Sequence, residues 1–321
     1  MTAQRAIGGF FELELSGTGT FPHQNGQRYR SARTAFAALL QARRPARVWM
    51  PRYLCDSMLL PLVAENVPHA WYDLTDGLDI PRDIALADDD IIIYVNYFGI
   101  LDGNVSGILA DFGPANVVLD YSQALYSPPQ DCLATIYSFR KFVGVPDGGA
   151  LHTTLAVAPA APGVAGGVSH LVGRLIDGPE PHYGEYVANE SSFDDLTVTG
   201  MSPLATRVLQ SIDWDRARNA RATNFAALHA VLHDSNRFPV AFPAGAAPLC
   251  YPYLTPDATE LRAALAAQRV YTPVYWKDAL ARSGAGSLEA RLVNQLVAIP
   301  CDQRYTVDDM HYVASLIKSI A

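Results

Sequence analysis

Val117-Val118-Leu119-Asp120-Tyr121-Ser122-Gln123-Ala124-Leu125 is an apolar run that ends in a carboxylate, with an amide three residues beyond it. A run that is apolar at successive positions suits a strand covered on both faces, the condition of strands in a parallel sheet. The texture recurs at Arg47 to Met50, Ala70 to Leu74, Ile91 to Phe98, Leu133 to Phe139 and Gly149 to Thr154, with Asn116 to Tyr121 as the strand of the quoted run. Ser31 to Arg44 sets Ala32, Ala35, Phe36, Leu39 and Leu40 on one helical face behind Ser31 as N-cap. An alternating α/β unit over residues 1–212 is expected, built on a mainly parallel sheet. From Asp213 the texture turns to helices at Asp215 to Leu232, Asp257 to Gln268, Leu288 to Leu296 and Val307 to Ile320. Arg269 to Trp276 and Leu296 to Pro300 are expected to pair in a small sheet, making 213–321 a second, smaller α/β unit.

The chain has 321 residues, 50% hydrophobic and 17% charged, enough to bury a large core. A formal charge of -8 leaves no basic excess to displace counterions from nucleic acid, so nucleic acid is not an expected partner. Glu12 and Glu14 interrupt the start where a secretory signal would be basic and then apolar, and a cytoplasmic protein is expected. Gly148 to Gly173 carries no charge, but Pro159, Pro162 and its glycines read as a strand followed by a loop, not as a membrane span. Cys55, Cys132, Cys250 and Cys301 lack metal-site spacing and read as free thiols. Asp88-Asp89-Asp90 reads as a solvated turn before a strand, and no metal is assigned. Gly17-Thr18-Gly19-Thr20 lacks the third glycine of a dinucleotide fingerprint, and no lysine follows a glycine as in a P-loop.

Fourteen residues after Gln123 begins Tyr137-Ser138-Phe139-Arg140-Lys141-Phe142-Val143-Gly144-Val145-Pro146-Asp147-Gly148-Gly149. Lys141 is one of only three lysines, with Lys277 and Lys318, in a chain that otherwise uses arginine. A lysine amine forms a Schiff base with an aldehyde cofactor, as arginine cannot, and partial desolvation between apolar stretches would favour it. Asp120, at the carboxyl end of its strand, lies where ligands bind in open α/β sheets. Pyridoxal phosphate requires this pair: a lysine for its aldehyde and an anion for its ring nitrogen.

Asp120-x-x-Gln123, then Ser138-Phe139 and Lys141, then Asp147-Gly148-Gly149, resemble the DegT/DnrJ/EryC1/StrS sugar-aminotransferase family, a branch of fold type I pyridoxal-phosphate enzymes. Ser31-Ala32-Arg33-Thr34-Ala35, Asn96-Tyr97-Phe98-Gly99 and Pro300 to Tyr305 extend the resemblance over most of the chain. The resemblance implies Lys141 as Schiff-base residue and proton carrier, Asp120 at the ring nitrogen and Gln123 beside the phenolic oxygen. It implies Ala32, Arg33 and Ser138 at the phosphate, although Ser31 equally reads as the cap of a structural helix. The family's ring-stacking aromatic falls at Cys55, with Tyr53 as substitute. Its serine also stands further from its lysine than the three positions seen here, and the chain is shorter between Gly149 and Asp213. A homodimer is implied, with Tyr183 and Asn189 as subunit-bridging candidates.

The expected activity is transfer of an amino group from glutamate or glutamine to a keto-sugar, nucleotide-linked, in surface-polysaccharide or secondary metabolism. Arg28, Arg30, Arg33 and Arg52 are candidates to hold a donor carboxylate or a sugar diphosphate. A sugar dehydratase on the same scaffold is the first alternative, against which Lys141 counts because such relatives carry histidine there. A non-catalytic pyridoxal-phosphate binder is the second.

Overall fold

A computed structural model of the chain describes residues 13–17 and 19–320. The first half runs β1 (Gln27–Tyr29), α1 (Ala32–Arg43), β2 (Arg47–Pro51), α2 (Leu59–Ala64), β3 (His69–Tyr72), β4 (Asp90–Val95), α3 (Val105–Phe112), β5 (Val117–Tyr121), β6 (Ala134–Ser138) and β7 (Gly149–His152). Helices α4 (Ser169–Asp177), α5 (Tyr183–Ser191) and α6 (Pro203–Gln210) follow. The chain then continues through α7 (Trp214–Leu232), β8 (Tyr251–Leu254), α8 (Ala258–Ala267), α9 (Leu288–Gln295), β9 (Leu296–Ile299) and α10 (Val307–Ile320).

The seven strands of the large sheet lie in the order β1-β7-β6-β5-β4-β2-β3, with β2 to β6 mutually parallel and β7 antiparallel to both its neighbours. Every residue of β4, β5 and β6 is buried, as expected of strands covered on both faces. The parallel register aligns Val95 with Asp120 and Asp120 with Ile136, so the carboxyl ends of three central strands finish along one edge.

Ser31 caps α1 by accepting the backbone N–H of Thr34 at 3.1 Å, and the buried run from Thr34 to Leu40 holds the helix on the sheet. Its first turn abuts β7 so closely that a Cβ on Gly149 would come within 2.5 Å of the Ser31 backbone, which requires glycine there. A similar approach sets the turn after β4: Gly99 has φ +74°, and a Cβ on it would meet the carbonyl oxygen of Gln123 at 2.7 Å. That turn ends β4 at Val95, where a strand reaching Phe98 was expected; Phe98 itself has φ 59° and is fully buried.

Three further expectations are corrected. Strand β9 pairs antiparallel with β8, Tyr251 opposite Ile299, and not with 269–276. The latter segment holds no strand, because Tyr275 and Trp276 turn into an aromatic cluster with Tyr53, Tyr97 and Phe98. Pro252 is tolerated in β8 because both strands of a two-stranded sheet are edges. Asp90 is not a solvated turn residue: it opens β4, buried, and accepts from Arg47 and from the Trp49 indole, tying β2 to β4. The stretch read as loop beyond β7 includes the start of α4 at Ser169.

Helices α7, α8 and α10 pack with the β8-β9 sheet around a second core that includes Phe225, Leu228, Tyr251, Leu265, Val297 and Ile317. Among the described residues, no helix is long and apolar enough to cross a membrane.

Candidate active site

The site forms along the carboxyl edge of β4, β5 and β6, beside the first turn of α1. Asp120 is buried there, with Oδ1 accepting the backbone N–H of Ser122 at 2.8 Å. Gln123 follows in the same turn. Its Oε1 accepts the N–H of Phe98 at 2.8 Å, which orients the amide and leaves Nε2 buried with no acceptor among the described residues. A buried donor without a partner costs about 1–3 kcal/mol, so this group points to an acceptor from outside.

Ser138 closes β6, buried opposite Gly149. The chain then turns, with Phe142 and Val143 both donating backbone N–H groups to the Phe139 carbonyl. Phe139 and Phe142 go inward and Lys141 is exposed, so the desolvation expected for this lysine is not present in the single chain. The turn is nevertheless fixed. The Phe142 carbonyl accepts from Arg221 Nη2 at 2.9 Å and from Gln303 Nε2 at 2.8 Å. Arg221 is only 2% exposed, lies 4.7 Å from the Phe142 ring centroid, and also donates to the carbonyls of Pro248 and Leu249.

Ala32 and Arg33 occupy the first turn of α1, where backbone N–H groups have no intrahelical acceptor. Around them gather three guanidinium groups. Arg33 pairs with Asp194 at 2.5 Å, Arg140 pairs with Glu190, and Arg30 donates to Ser192 Oγ at 2.9 Å. Burial pushes the Arg140 pKa down to about 10, with Arg33 and Arg30 adding to the effect and Tyr186 and Asp147 opposing it. Asp147 accepts the Ser202 N–H at 2.8 Å through Oδ1 while its Oδ2 is buried and unpaired, and burial pushes its carboxyl up.

The other candidates lie elsewhere. Tyr53 is fully buried, packed against Tyr97 and Trp276, so it forms part of the core and not an open platform; burial pushes its phenol far up. Cys55 is half-buried and receives a hydrogen bond from Ser57 Oγ. Arg52 is tied to Asp73 and to the Arg282 carbonyl. Arg28 sits on β1, separated from β5 by two strands, and lines a cavity of about 640 Å³ at the outer edge of the sheet with Arg207 and Thr206. Tyr183 is exposed on α5, whereas Asn189 is buried and donates to the Pro146 carbonyl at 3.3 Å. Sequence reasoning missed Arg140, Arg221, Glu190, Phe193 and Asp194; only Arg140, adjacent to Lys141, carried a local signal. Among the described residues no group of three or more His, Cys, Asp or Glu is arranged to hold a metal.

No family model matches the sequence, and no curated protein does. Solved structures do match its fold. A DegT DnrJ EryC1 StrS aminotransferase from Brucella abortus aligns over 91% of this chain and 85% of its own at 17% identity, with TM-score 0.64. DesI, solved in the presence of its TDP-sugar product, aligns over 92% of this chain and 80% of its own at 15% identity, with TM-score 0.64. Helicobacter pylori PseC, an aminotransferase involved in the biosynthesis of pseudoaminic acid, aligns over 91% and 85% at 12% identity, with TM-score 0.59. The likeness shows the fold: this chain has the fold type I architecture of pyridoxal-phosphate-dependent aminotransferases.

Proposed function

We propose that the chain is a pyridoxal-phosphate-dependent aminotransferase that moves an amino group from glutamate or glutamine to a keto-sugar, nucleotide-linked, in surface-polysaccharide or secondary-metabolite synthesis. The observation that carries this reading is the unpartnered, buried Gln123 Nε2 beside the buried Asp120, on the edge from which the Lys141 turn departs. The residues fit the cofactor in kind: a carboxylate for the ring nitrogen, an amide donor for the ring oxygen, and first-turn amides of α1 with Ser138 for the phosphate. The fold likeness to DesI and PseC supports a sugar as acceptor.

When bound, pyridoxal phosphate supplies an electron sink for the charge left on a donor carbon that loses its proton. Asp120 would keep the ring nitrogen protonated. Gln123 and the α1 amides would orient the cofactor, and the Phe142 carbonyl, clamped by Arg221 and Gln303, would fix the turn carrying Lys141. Lys141 would hold the aldehyde carbon at rest and, as a free amine, carry the proton to and from the donor α-carbon.

The reading divides the chain into a cofactor-binding unit, 1–212, and a smaller unit, 213–321, that contributes Arg221 and Gln303. It also calls for a homodimer. Val172, Leu175, Ile176, Tyr183, Tyr186 and Val187 leave apolar surface exposed on α4 and α5, suited to cover by a second copy. Light scattering that finds only monomer in a fully active sample contradicts this part.

The reaction is tested by adding amino acids to cofactor-loaded protein. Glutamate or glutamine should discharge the cofactor's visible absorbance, and a nucleotide-linked keto-sugar should restore it. If no amino donor discharges it, transamination is wrong; sugar dehydration by the same sample would then favour the dehydratase, and no reaction the non-catalytic binder.

A further inference from the structure

Residues 189–194, the end of α5 and the short turn after it, lie across the first turn of α1 and the Lys141 turn. Arg30 and Arg33, three positions apart at the start of α1, converge there with Arg140 from the Lys141 turn. Phe193 is 2% exposed and carries two of them, Arg140 at 3.8 Å and Arg30 at 4.9 Å from its ring centroid. Gathering like charges around one ring is unfavourable unless anions accompany them. The acids that face them are Asp147, buried and bonded to Ser202, Glu190 and Asp194, whose side chains are 40% and 63% exposed, and the exposed Asp195, whose carboxyl feels the Arg30 charge.

Exposed carboxylates hold arginine weakly, whereas a phosphate offers more charge and several oxygens to the same forks. Arg33 Nε is moreover buried with no acceptor among the described residues. Phe193 is the one buried apolar anchor of residues 183–194. Residues 183–188 of α5 are exposed, and besides the ion pairs Asn189 donates to the Pro146 carbonyl and Ser192 accepts from Arg30.

We propose that Arg30, Arg33 and Arg140 form an anion subsite for a phosphate or diphosphate group, and that residues 189–194 are a strap whose Glu190 and Asp194 occupy it until the ligand displaces them. Only the source of the phosphate, cofactor or nucleotide-linked sugar, rests on the function proposed above.

Calorimetric titration with inorganic pyrophosphate tests the subsite directly. Glu190→Gln/Asp194→Asn should bind it about fivefold more tightly than the parent, the gain expected from releasing two exposed ion pairs. Arg30→Gln/Arg140→Gln should bind it at least about tenfold more weakly. Hydrogen exchange of 183–194 should speed up when pyrophosphate binds. Pyridoxal phosphate against pyridoxal, and thymidine diphosphate against thymidine, distinguish the sources: the pair in which the acid substitutions favour only the phosphorylated member identifies the ligand. Acid variants that bind pyrophosphate no more tightly, or exchange in the strap that is unchanged or slowed, overturn the proposal. Attachment of cofactor at Lys141 is a separate readout, so failure of either claim leaves the other standing.

Discussion

Arg221 on α7 donates through Nη2 to the carbonyl oxygen of Phe142 at 2.9 Å, and Phe142 is the residue that follows Lys141. The bond joins the helical second half of the chain to the turn on which the proposed chemistry depends. Arg221→Met would leave the Pro248 and Leu249 carbonyls without this donor and the Phe142 carbonyl with Gln303 alone. Its expected cost is about 2–4 kcal/mol, from buried acceptors losing their partners. Urea unfolding measures it, and an unchanged midpoint would show that the clamp contributes nothing.

His23 gives the fold a pH dependence on the acid side. Burial pushes its pKa down to about 4, with the Leu125 hydrogen bond opposing and His152 adding to the shift. Because the folded pKa is depressed, the unfolded chain takes up the proton first as pH falls. The stabilisation is full above the unfolded value near 6.5 and is lost progressively towards about 4, a change of about 3 kcal/mol. His23→Phe should remove that part of the slope in unfolding curves taken across this window; a variant as steep as the parent contradicts the assignment.

Asp120→Asn tests the carboxylate at the strand end. The amide keeps the shape and can still accept the Ser122 N–H, so the fold should persist. Turnover should fall by at least about 100-fold, because a neutral group no longer holds the ring nitrogen protonated, while cofactor occupancy changes far less. Single-turnover rates equal to the parent would remove Asp120 from the chemistry.

The central strands were legible because burial on both faces writes itself into consecutive apolar residues, as at Ile91 to Val95 and Val117 to Leu119. Strand β1 was not: three residues, two of them exposed, carry no such pattern. Helices α4 and α5 escaped notice because Leu175, Ile176 and Tyr183 face solvent in the single chain, outside any core that periodicity would reveal. In the small sheet, two apolar segments competed for β9, and the aromatic cluster around Tyr53 drew one of them away. Asp120 and Gln123 were legible as a strand end and its turn. Of the arginine cluster, Arg30 and Arg33 were legible as anion-binding candidates, but their meeting with Arg140, Glu190 and Asp194 was not, since Arg33 and Asp194 stand 161 positions apart and only the fold brings them together.

Lys141 carries the account. It is exposed, so Lys141→Ala should leave stability within about 0.5 kcal/mol of the parent. The direct measurement is borohydride reduction of the protein after incubation with pyridoxal phosphate, followed by peptide mapping by mass spectrometry. The cofactor should be found on Lys141, and Lys141→Ala should take up none. Label on Lys277 or Lys318 in place of Lys141, or undiminished labelling of the variant, would contradict the assignment.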